Sequence, residues 1–364
     1  YLPDASPIPY GGNVDFRGDV AVRAPGQLRL AGGGVIKADG HISLHAASIT
    51  VGQPYQAPLN PSDPYQPFRR FDGGTGSTPQ LFVAPTSGTG RVTASASHID
   101  AGNLVLGGIG SASLAANGGD LRGYGSVNMA GDLTVQAARI YPSTLGNFDL
   151  FAYDNSLSGA AGSITVLSSG AAGAPLSAGG NLRLMAASID QGGTLRAPLG
   201  SITLGWDGSG AAPANAVTGA ASALPATANL VLGAASMTSV SADGLTIPFG
   251  LTPNGLSWID PRGVDVTAGG LPQRSVTLSA GNVVTASGSV VDVSGGGDLL
   301  AYRWVPGIGG SSDLLGVADQ SWSSGSDYNA GDLVSYGGST WSARVDIDPA
   351  DYAIAPAPEE GLFW

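Results

Sequence analysis

Residues 179–205, GGNLRLMAASIDQGGTLRAPLGSITLG, decide the fold. Leu182 and Leu184 alternate with other residues, and Ile202 and Leu204 do the same. A period of two in segments this short is typical of β-strands that bury one face. Glycine opens both phrases, and the two openings lie about 20 residues apart, which is close to one turn of a three-sided β-solenoid. The stretch therefore predicts one rung of a solenoid.

The same phrase recurs along the chain. Close copies begin at Gly40, Gly131 and Gly180, and each continues through two alternating apolar residues to Ala-Ala and an isoleucine. Looser copies begin at Gly12, Gly26, Gly90, Gly102, Gly162 and Gly281. We expect the alternating residues to face a shared core and glycine to supply a positive φ at the corners of the solenoid. The alanine pair would let neighbouring sides of the solenoid approach each other. One rung cannot bury its inner face alone, so the rungs must stack.

The composition favours a folded repeat protein and excludes several classes of site. The chain has 364 residues, 58 of them glycine, with 43% hydrophobic and 12% charged residues. A solenoid accommodates this length because it grows by adding rungs. Cysteine is absent, which excludes thiol catalysis, disulfides and cysteine zinc sites and is common in exported bacterial proteins. The formal charge of −12 argues against nucleic acid as a partner.

Three stretches interrupt the repeats and predict insertions. Residues 53–80 are rich in proline, which cannot donate to a strand ladder. Residues 141–158 form a shorter stretch that contains aromatic residues and lacks the repeat, and residues 206–229 are rich in Ala, Gly, Pro and Ser. We therefore expect a parallel β-helix over residues 1–316 with these three insertions, followed by a separate small β module over residues 317–364. Because Tyr1 is not an initiator methionine and no signal peptide follows it, we expect a segment of a longer protein.

The glycine-opened phrases, together with the run from Val290 through Ser294-Gly-Gly-Gly-Asp-Leu299 to Gly307, resemble the filamentous haemagglutinin-like exoproteins of two-partner secretion systems. The resemblance covers about residues 12–316. It implies a right-handed parallel β-helix that an outer-membrane transporter exports to the surface of a Gram-negative bacterium, where it acts as an adhesin or a toxin carrier. The amino-terminal secretion domain of that family is not found, so this segment is expected to lie downstream of it.

The last stretch follows a different pattern. Its aromatic and glycine order over about residues 320–364 resembles the small chitin-binding modules of chitinases. The residues that carry this likeness are Trp322, Tyr328, Gly331, Asp332, Val334, Tyr336, Gly338, Trp341, Ala343, Pro356, Pro358 and Trp364. The resemblance implies a carbohydrate-binding surface in which Trp364 stacks on a sugar ring, since the axial hydrogens of a pyranose offer an apolar face to an aromatic plane. Tyr352 is the one candidate for the second binding aromatic.

Trp341, Trp322 and Tyr336 complete the set of candidate carbohydrate-binding residues, although the aromatics of such modules also build their core. A purely structural role for these side chains therefore stays open beside the binding role.

No catalytic or metal site emerges from the sequence, and we expect no enzyme activity, cofactor or bound metal. Polysaccharide lyases and hydrolases on β-helices need clustered carboxylates, but Asp100 and Asp190 belong to distant rungs and are interpreted as turn residues. His41 and His45 share one face of a strand, yet no third metal ligand accompanies them. Asp346, Asp348 and Asp351 form an acidic cluster without the glycine and terminal glutamate of a calcium loop.

The function that these features predict is adhesion by a surface-displayed or secreted stalk that presents a glycan-binding module. Its partners would be a polysaccharide or cell-surface glycan and, during export, an outer-membrane transporter. The alternative is a structural filament or biofilm-matrix scaffold that associates laterally and binds no glycan. A polysaccharide-active enzyme comes third.

Overall fold

The computed structural model describes residues 13–16, 18–30, 35–38, 40–52, 84–171, 173–215, 223–252, 255–269, 274–303, 320–329, 332–337 and 339–348. Over these ranges the protein is all-β, as the sequence predicts, with 26 strands and no helix. Accordingly, none of the described segments is a helix long and apolar enough to cross a membrane.

The strands are short, and most are bounded by glycine or turns. The first nine are β1 (Asn13–Phe16), β2 (Val20–Leu30), β3 (Val35–Ala38), β4 (His41–Val51), β5 (Gly90–Ala96), β6 (His98–Ala101), β7 (Leu104–Leu106), β8 (Ile109–Gly123) and β9 (Gly125–Ala130). The next nine are β10 (Asp132–Pro142), β11 (Asn147–Tyr153), β12 (Ser163–Ser168), β13 (Asn181–Met185), β14 (Ser188–Gly192), β15 (Thr194–Arg196), β16 (Ser201–Leu204), β17 (Asn229–Leu232) and β18 (Met237–Ser239). The last eight are β19 (Thr246–Leu251), β20 (Ser275–Leu278), β21 (Asn282–Thr285), β22 (Val290–Asp292), β23 (Asp298–Tyr302), β24 (Gln320–Ser321), β25 (Leu333–Tyr336) and β26 (Ser339–Ser342).

Most strands pair in parallel with strands that are distant in sequence, and the pairings fall into three ladders. The first ladder follows the order β2-β4-β5-β8-β10-β12-β14-β17-β21. The second consists of the later halves of β2, β4, β8 and β10 with β6, β15, β18 and β22. The third follows the order β7-β9-β11-β13-β16-β20. Strands β1 and β3 pair separately, as do β19 and β23.

Corresponding residues of successive phrases occupy the same register. In the first ladder Leu133 pairs with Ile164, and Ile164 pairs with Ile189. In the third ladder Leu150 pairs with Leu184. These side chains are buried and belong to one hydrophobic cluster that joins residues of all three ladders. The period-two alternation therefore identified these core residues correctly, but the expectation is wrong for the copy that begins at Gly281, where Val283 is 41% exposed.

Among the described residues, most of the glycines that open the phrases lack the predicted positive φ, and Gly131 is the exception with a φ of 139°. Neither Gly180 nor Gly200 has a positive φ, so the expected role at a sharp corner is wrong for both. Instead, a Cβ on Gly200 would lie 1.9 Å from the carbonyl oxygen of Gly180. A Cβ on Gly180 would lie 2.7 Å from the carbonyl oxygen of Ser143. Glycine is needed here because stacked backbones approach each other too closely for any side chain.

Part of one predicted insertion is a strand. Residues 141–158 were expected to leave the ladders, but Asn147–Tyr153 form β11 in the third ladder, and all of β11 except Asn147 is buried. The outer face of this ladder is covered by the following insertion, where the amide of Asn215 donates to the Tyr153 hydroxyl at 2.8 Å. Burial on both faces removes the alternation that marks a half-exposed strand.

Of the other two predicted insertions, only the one at residues 206–229 lies partly within the described residues. Residues 206–215 and 223–228 contain no strand, and β17 begins only at Asn229. The predicted insertion at 53–80 lies outside the described residues.

The chain divides into two compact units. Unit 1 consists of Tyr1–Gly250 and Ile259–Leu300, and unit 2 consists of Leu251–Trp258 and Ala301–Trp364. The predicted boundary between residues 316 and 317 falls outside the described residues, so it stays a prediction.

Candidate functional site

The candidate site belongs to the small sheet formed by β24, β25 and β26. Strands β25 and β26 are antiparallel, and Val334 pairs with Trp341. Tyr328, Val334, Ala343 and Ile347 form its buried cluster, against which Trp322 and Trp341 pack. This minimal core holds the aromatic side chains in place.

Tyr328 fixes the segments around the sheet. Its backbone N–H donates to the carbonyl of Ile347 at 2.9 Å, and the Ile347 N–H donates back at 2.7 Å. The Tyr328 hydroxyl donates to the Ser323 carbonyl at 2.9 Å. Since the ring is 2% exposed and its polar end is bonded, Tyr328 is a core residue, which is the structural use that the sequence left open.

Three predicted binding aromatics come together at the margin of this core. Val334 and Tyr336 are two residues apart on β25 and thus share the face that carries Trp341. The rings of Trp322 and Tyr336 meet edge to face, with their centroids 5.0 Å apart and an interplanar angle of 70°. The indole N–H of Trp341 donates to the Tyr336 carbonyl at 3.3 Å. We call Trp322, Tyr336 and Trp341 the aromatic triad.

The members of the triad differ in exposure. Tyr336 is 41% exposed, whereas Trp322 and Trp341 are intermediate. The indole Nε1 of Trp322 is buried without a hydrogen-bond partner in the described part of the chain. The triad therefore offers a partly open aromatic surface, with Tyr336 as its most accessible member. The other two predicted binding residues, Tyr352 and Trp364, lie outside the described residues.

The ladders carry charged pairs that the sequence analysis missed. Nε of Arg122 donates to Asp100 at 2.7 Å, and Nε of Arg139 donates to Asp120 at 2.7 Å. Asp100 lies within β6 and Asp190 within β14, so the interpretation of both as turn residues is wrong. Burial alone would raise the pKa of Asp100, but hydrogen bonds from His98 and Arg122 outweigh it and lower the pKa below the ordinary value.

A third pair in the ladders, between Arg183 and Asp149, is the most enclosed of these three. The Asp149 side chain is 5% exposed, and burial raises its pKa although the guanidinium opposes this effect. Arg183 also lies over the Phe151 ring, with its guanidinium carbon 5.5 Å from the ring centroid. These carboxylates are each bound to an arginine, so they are not arranged as a free pair for acid–base catalysis.

The two histidines considered as metal ligands are engaged differently. Nε2 of His41 lies 2.8 Å from Oγ1 of Thr93, while His45 is exposed. Among the described residues, no group of three or more His, Asp or Glu side chains is placed to hold a metal ion.

Comparisons with protein-family models, with curated proteins and with solved structures find no match to this chain. The geometry described above is therefore the basis for assigning a function.

Proposed function

We propose that this chain is a surface-displayed or secreted adhesin stalk: a right-handed parallel β-helix that presents a small glycan-binding module. The observation that carries the proposal is the aromatic triad of Trp322, Tyr336 and Trp341, which groups three rings around a partly open face. An outer-membrane transporter would export the chain, and a polysaccharide or cell-surface glycan would be its ligand.

The ladders support the stalk. Parallel pairing runs through nine strands of the first ladder, and one hydrophobic cluster joins residues of all three ladders. A helical winding of the chain accounts for both features, because successive turns add strands to the same ladders. Continuous ladders leave no flexible joint between neighbouring turns, so such a stalk would be stiff.

The triad supports glycan binding. Aromatic rings are large, partly apolar surfaces with a polar edge, and they suit ligands that combine an apolar face with hydroxyl groups. Tyr336 supplies an exposed ring and a hydroxyl, while Trp322 holds that ring edge to face. A weak single contact of this kind would gain strength when many stalks bind one polysaccharide.

The test is retention of the purified full chain on insoluble chitin, cellulose and peptidoglycan. We expect retention on at least one of them, and we expect the Tyr336→Ala variant to lose most of it. Tyr302→Ala is the matched control, because Tyr302 is an exposed tyrosine, at 56%, outside the small sheet. Failure of the unmodified chain to bind any of the three would count against the proposal, as would equal losses for the two variants.

A scaffold without glycan binding is the second candidate. It is favoured by the packing of Trp322 and Trp341 against the buried cluster, which gives both rings a structural use. This candidate predicts lateral assemblies in electron micrographs and sedimentation in the absence of glycan. It also predicts that Tyr336→Ala leaves those assemblies unchanged.

A further inference from the structure

A second candidate binding site lies on the outer surface of the ladders, far in sequence from the aromatic triad. A cleft of about 480 Å³ opens beside β2, β4, β5 and β8. Its polar lining consists of Arg23, His45, Ser95, Ser97 and Asn117, and alanines with Pro25 form the rest. The cleft has the volume of a ligand site for a molecule larger than a single small anion.

The cleft follows from the repeated Ala-Ala phrase. Ala24 pairs with Ala46, and Ala96 pairs with Ala116. Of these, Ala46, Ala96 and Ala116 are buried inward. Because their side chains are small, the surface is indented where the first ladder passes into the second. The neighbouring residues of the same strands must then face outward, because side chains alternate along a strand.

The outward residues form a polar column across the strands. Arg23 pairs with His45, and His45 pairs with Ser95, so their side chains repeat at the strand spacing of about 4.8 Å. Nδ2 of Asn117 donates to Oγ of Ser95 at 3.0 Å and extends the column. The strand spacing is comparable to the length of a sugar ring, so successive rings of an oligosaccharide could face successive strands.

The charge of the cleft is opposite to that of the chain. The chain carries a formal charge of −12, yet no acidic residue lines the cleft. Arg122, Arg139 and Arg183 are each neutralised by an aspartate. Within the described residues Arg23 has no such partner. An exposed, unpaired guanidinium beside hydrogen-bonding groups suits an anion that also carries hydroxyls.

We propose that this cleft binds an acidic saccharide. Arg23 receives its carboxylate or sulfate group through two parallel N–H donors, and His45, Ser95 and Asn117 bond its hydroxyls. Ala24 and Ala47, the cleft alanines that are not buried, contact the apolar faces of the sugar rings. The site shares no residue with the aromatic triad and does not depend on the function proposed for it.

Titration calorimetry on the full chain tests this proposal with trigalacturonate as the carboxylated probe, a heparin tetrasaccharide as the sulfated probe and maltotriose as the neutral one. We expect binding of one or both acidic probes and none of maltotriose. Arg23→Gln should weaken that binding by about tenfold or more. Arg29→Gln is the matched control, since Arg29 lies on the same strand, is also exposed and does not line the cleft.

Two further variants separate the cleft from general charge effects and from the module. Ala47→Trp fills the cleft from an exposed position and should abolish binding without a change in net charge. Tyr336→Ala should leave it unchanged. Absence of binding to both acidic probes, equal binding of maltotriose, equal losses for Arg23→Gln and Arg29→Gln, or unchanged binding by Ala47→Trp would each overturn the proposal.

Discussion

Arg183 and Asp149 face each other in register on neighbouring parallel strands of the third ladder, and Nε of the guanidinium donates to the carboxylate at 2.7 Å. The same guanidinium also donates to the carbonyl of Ala214 at 3.1 Å. The pair therefore joins two strands and ties the segment 206–215 to the outside of the ladder.

Removing the carboxylate of this pair should destabilise the fold. Asp149→Ala leaves the Arg183 guanidinium partly enclosed without its partner, and we expect the free energy of unfolding in urea to fall by about 3 kcal/mol. Asp190→Ala removes an exposed carboxylate and should change stability by no more than about 0.5 kcal/mol. Similar losses for the two variants would show that the enclosed pair has no special weight.

The stabilisation from Asp100 should depend on pH. Its folded pKa lies below the ordinary value of 3.8, so its contribution is full above that value and is lost as the pH falls through the folded pKa. At pH 7, Asp100→Asn should be less stable than the unmodified chain by about 1 kcal/mol, because Arg122 is 43% exposed and solvent screens the pair.

Urea unfolding of both chains from pH 7 down to pH 2.5 would measure this difference, which should shrink toward zero at the acid end. Asp190→Asn controls for the loss of an exposed carboxylate. A difference that stays constant over the whole range would contradict the role of Asp100 ionisation.

Two glycines that open equivalent phrases should respond differently to alanine. At Gly200 a Cβ would collide with the Gly180 carbonyl oxygen, whereas a Cβ on Gly26 would meet nothing within 4 Å. We expect Gly200→Ala to lower the free energy of unfolding by about 2 kcal/mol through overpacking, and Gly26→Ala to be neutral or slightly stabilising. Thermal melts followed by circular dichroism would measure both, and matching melting temperatures would refute the close-approach explanation.

The segment 206–215 should open when its amide anchor is removed. Nδ2 of Asn215 donates to Oδ1 of Asn128 at 2.6 Å and to the Tyr153 hydroxyl at 2.8 Å. Asn215→Ala should lower the free energy of unfolding by about 1 kcal/mol. It should also speed proteolytic cleavage within the segment, because local opening exposes its backbone. Asp207→Ala is the control, since that carboxylate bonds Ser209 in the same segment. Equal cleavage rates in both variants would argue against the anchor.

Sequence patterning predicted the inward residues well and the outer surface poorly. Leu182 and Leu184 could be assigned to the core because their polar neighbours face outward. Strand β11 could not, since Phe151 and Tyr153 are outward residues that a later segment buries. Nothing local in the sequence records that cover. The period-two rule fails wherever both faces of a strand are buried.

The aromatic triad and the ion pairs show a second limit. The resemblance to chitin-binding modules placed Trp322, Tyr336 and Trp341 in one candidate site, and the structure brings them together. The pairing of Arg183 with Asp149 was missed because register across an intervening stretch is not visible in sequence. Its signal would have been opposite charges at equivalent outward positions of aligned phrases.

Register is also kept across long interruptions. Ile189 still pairs with Leu230, although residues 205–228 separate β16 from β17. Likewise, Ile42 pairs with Val92 across the proline-rich residues 53–80. The register of each strand in its ladder is thus set by the side chains of the strands and not by the length of the connection between them. For protein engineering this makes the connections natural graft points, where a foreign peptide or domain could be inserted while the paired strands on either side remain aligned.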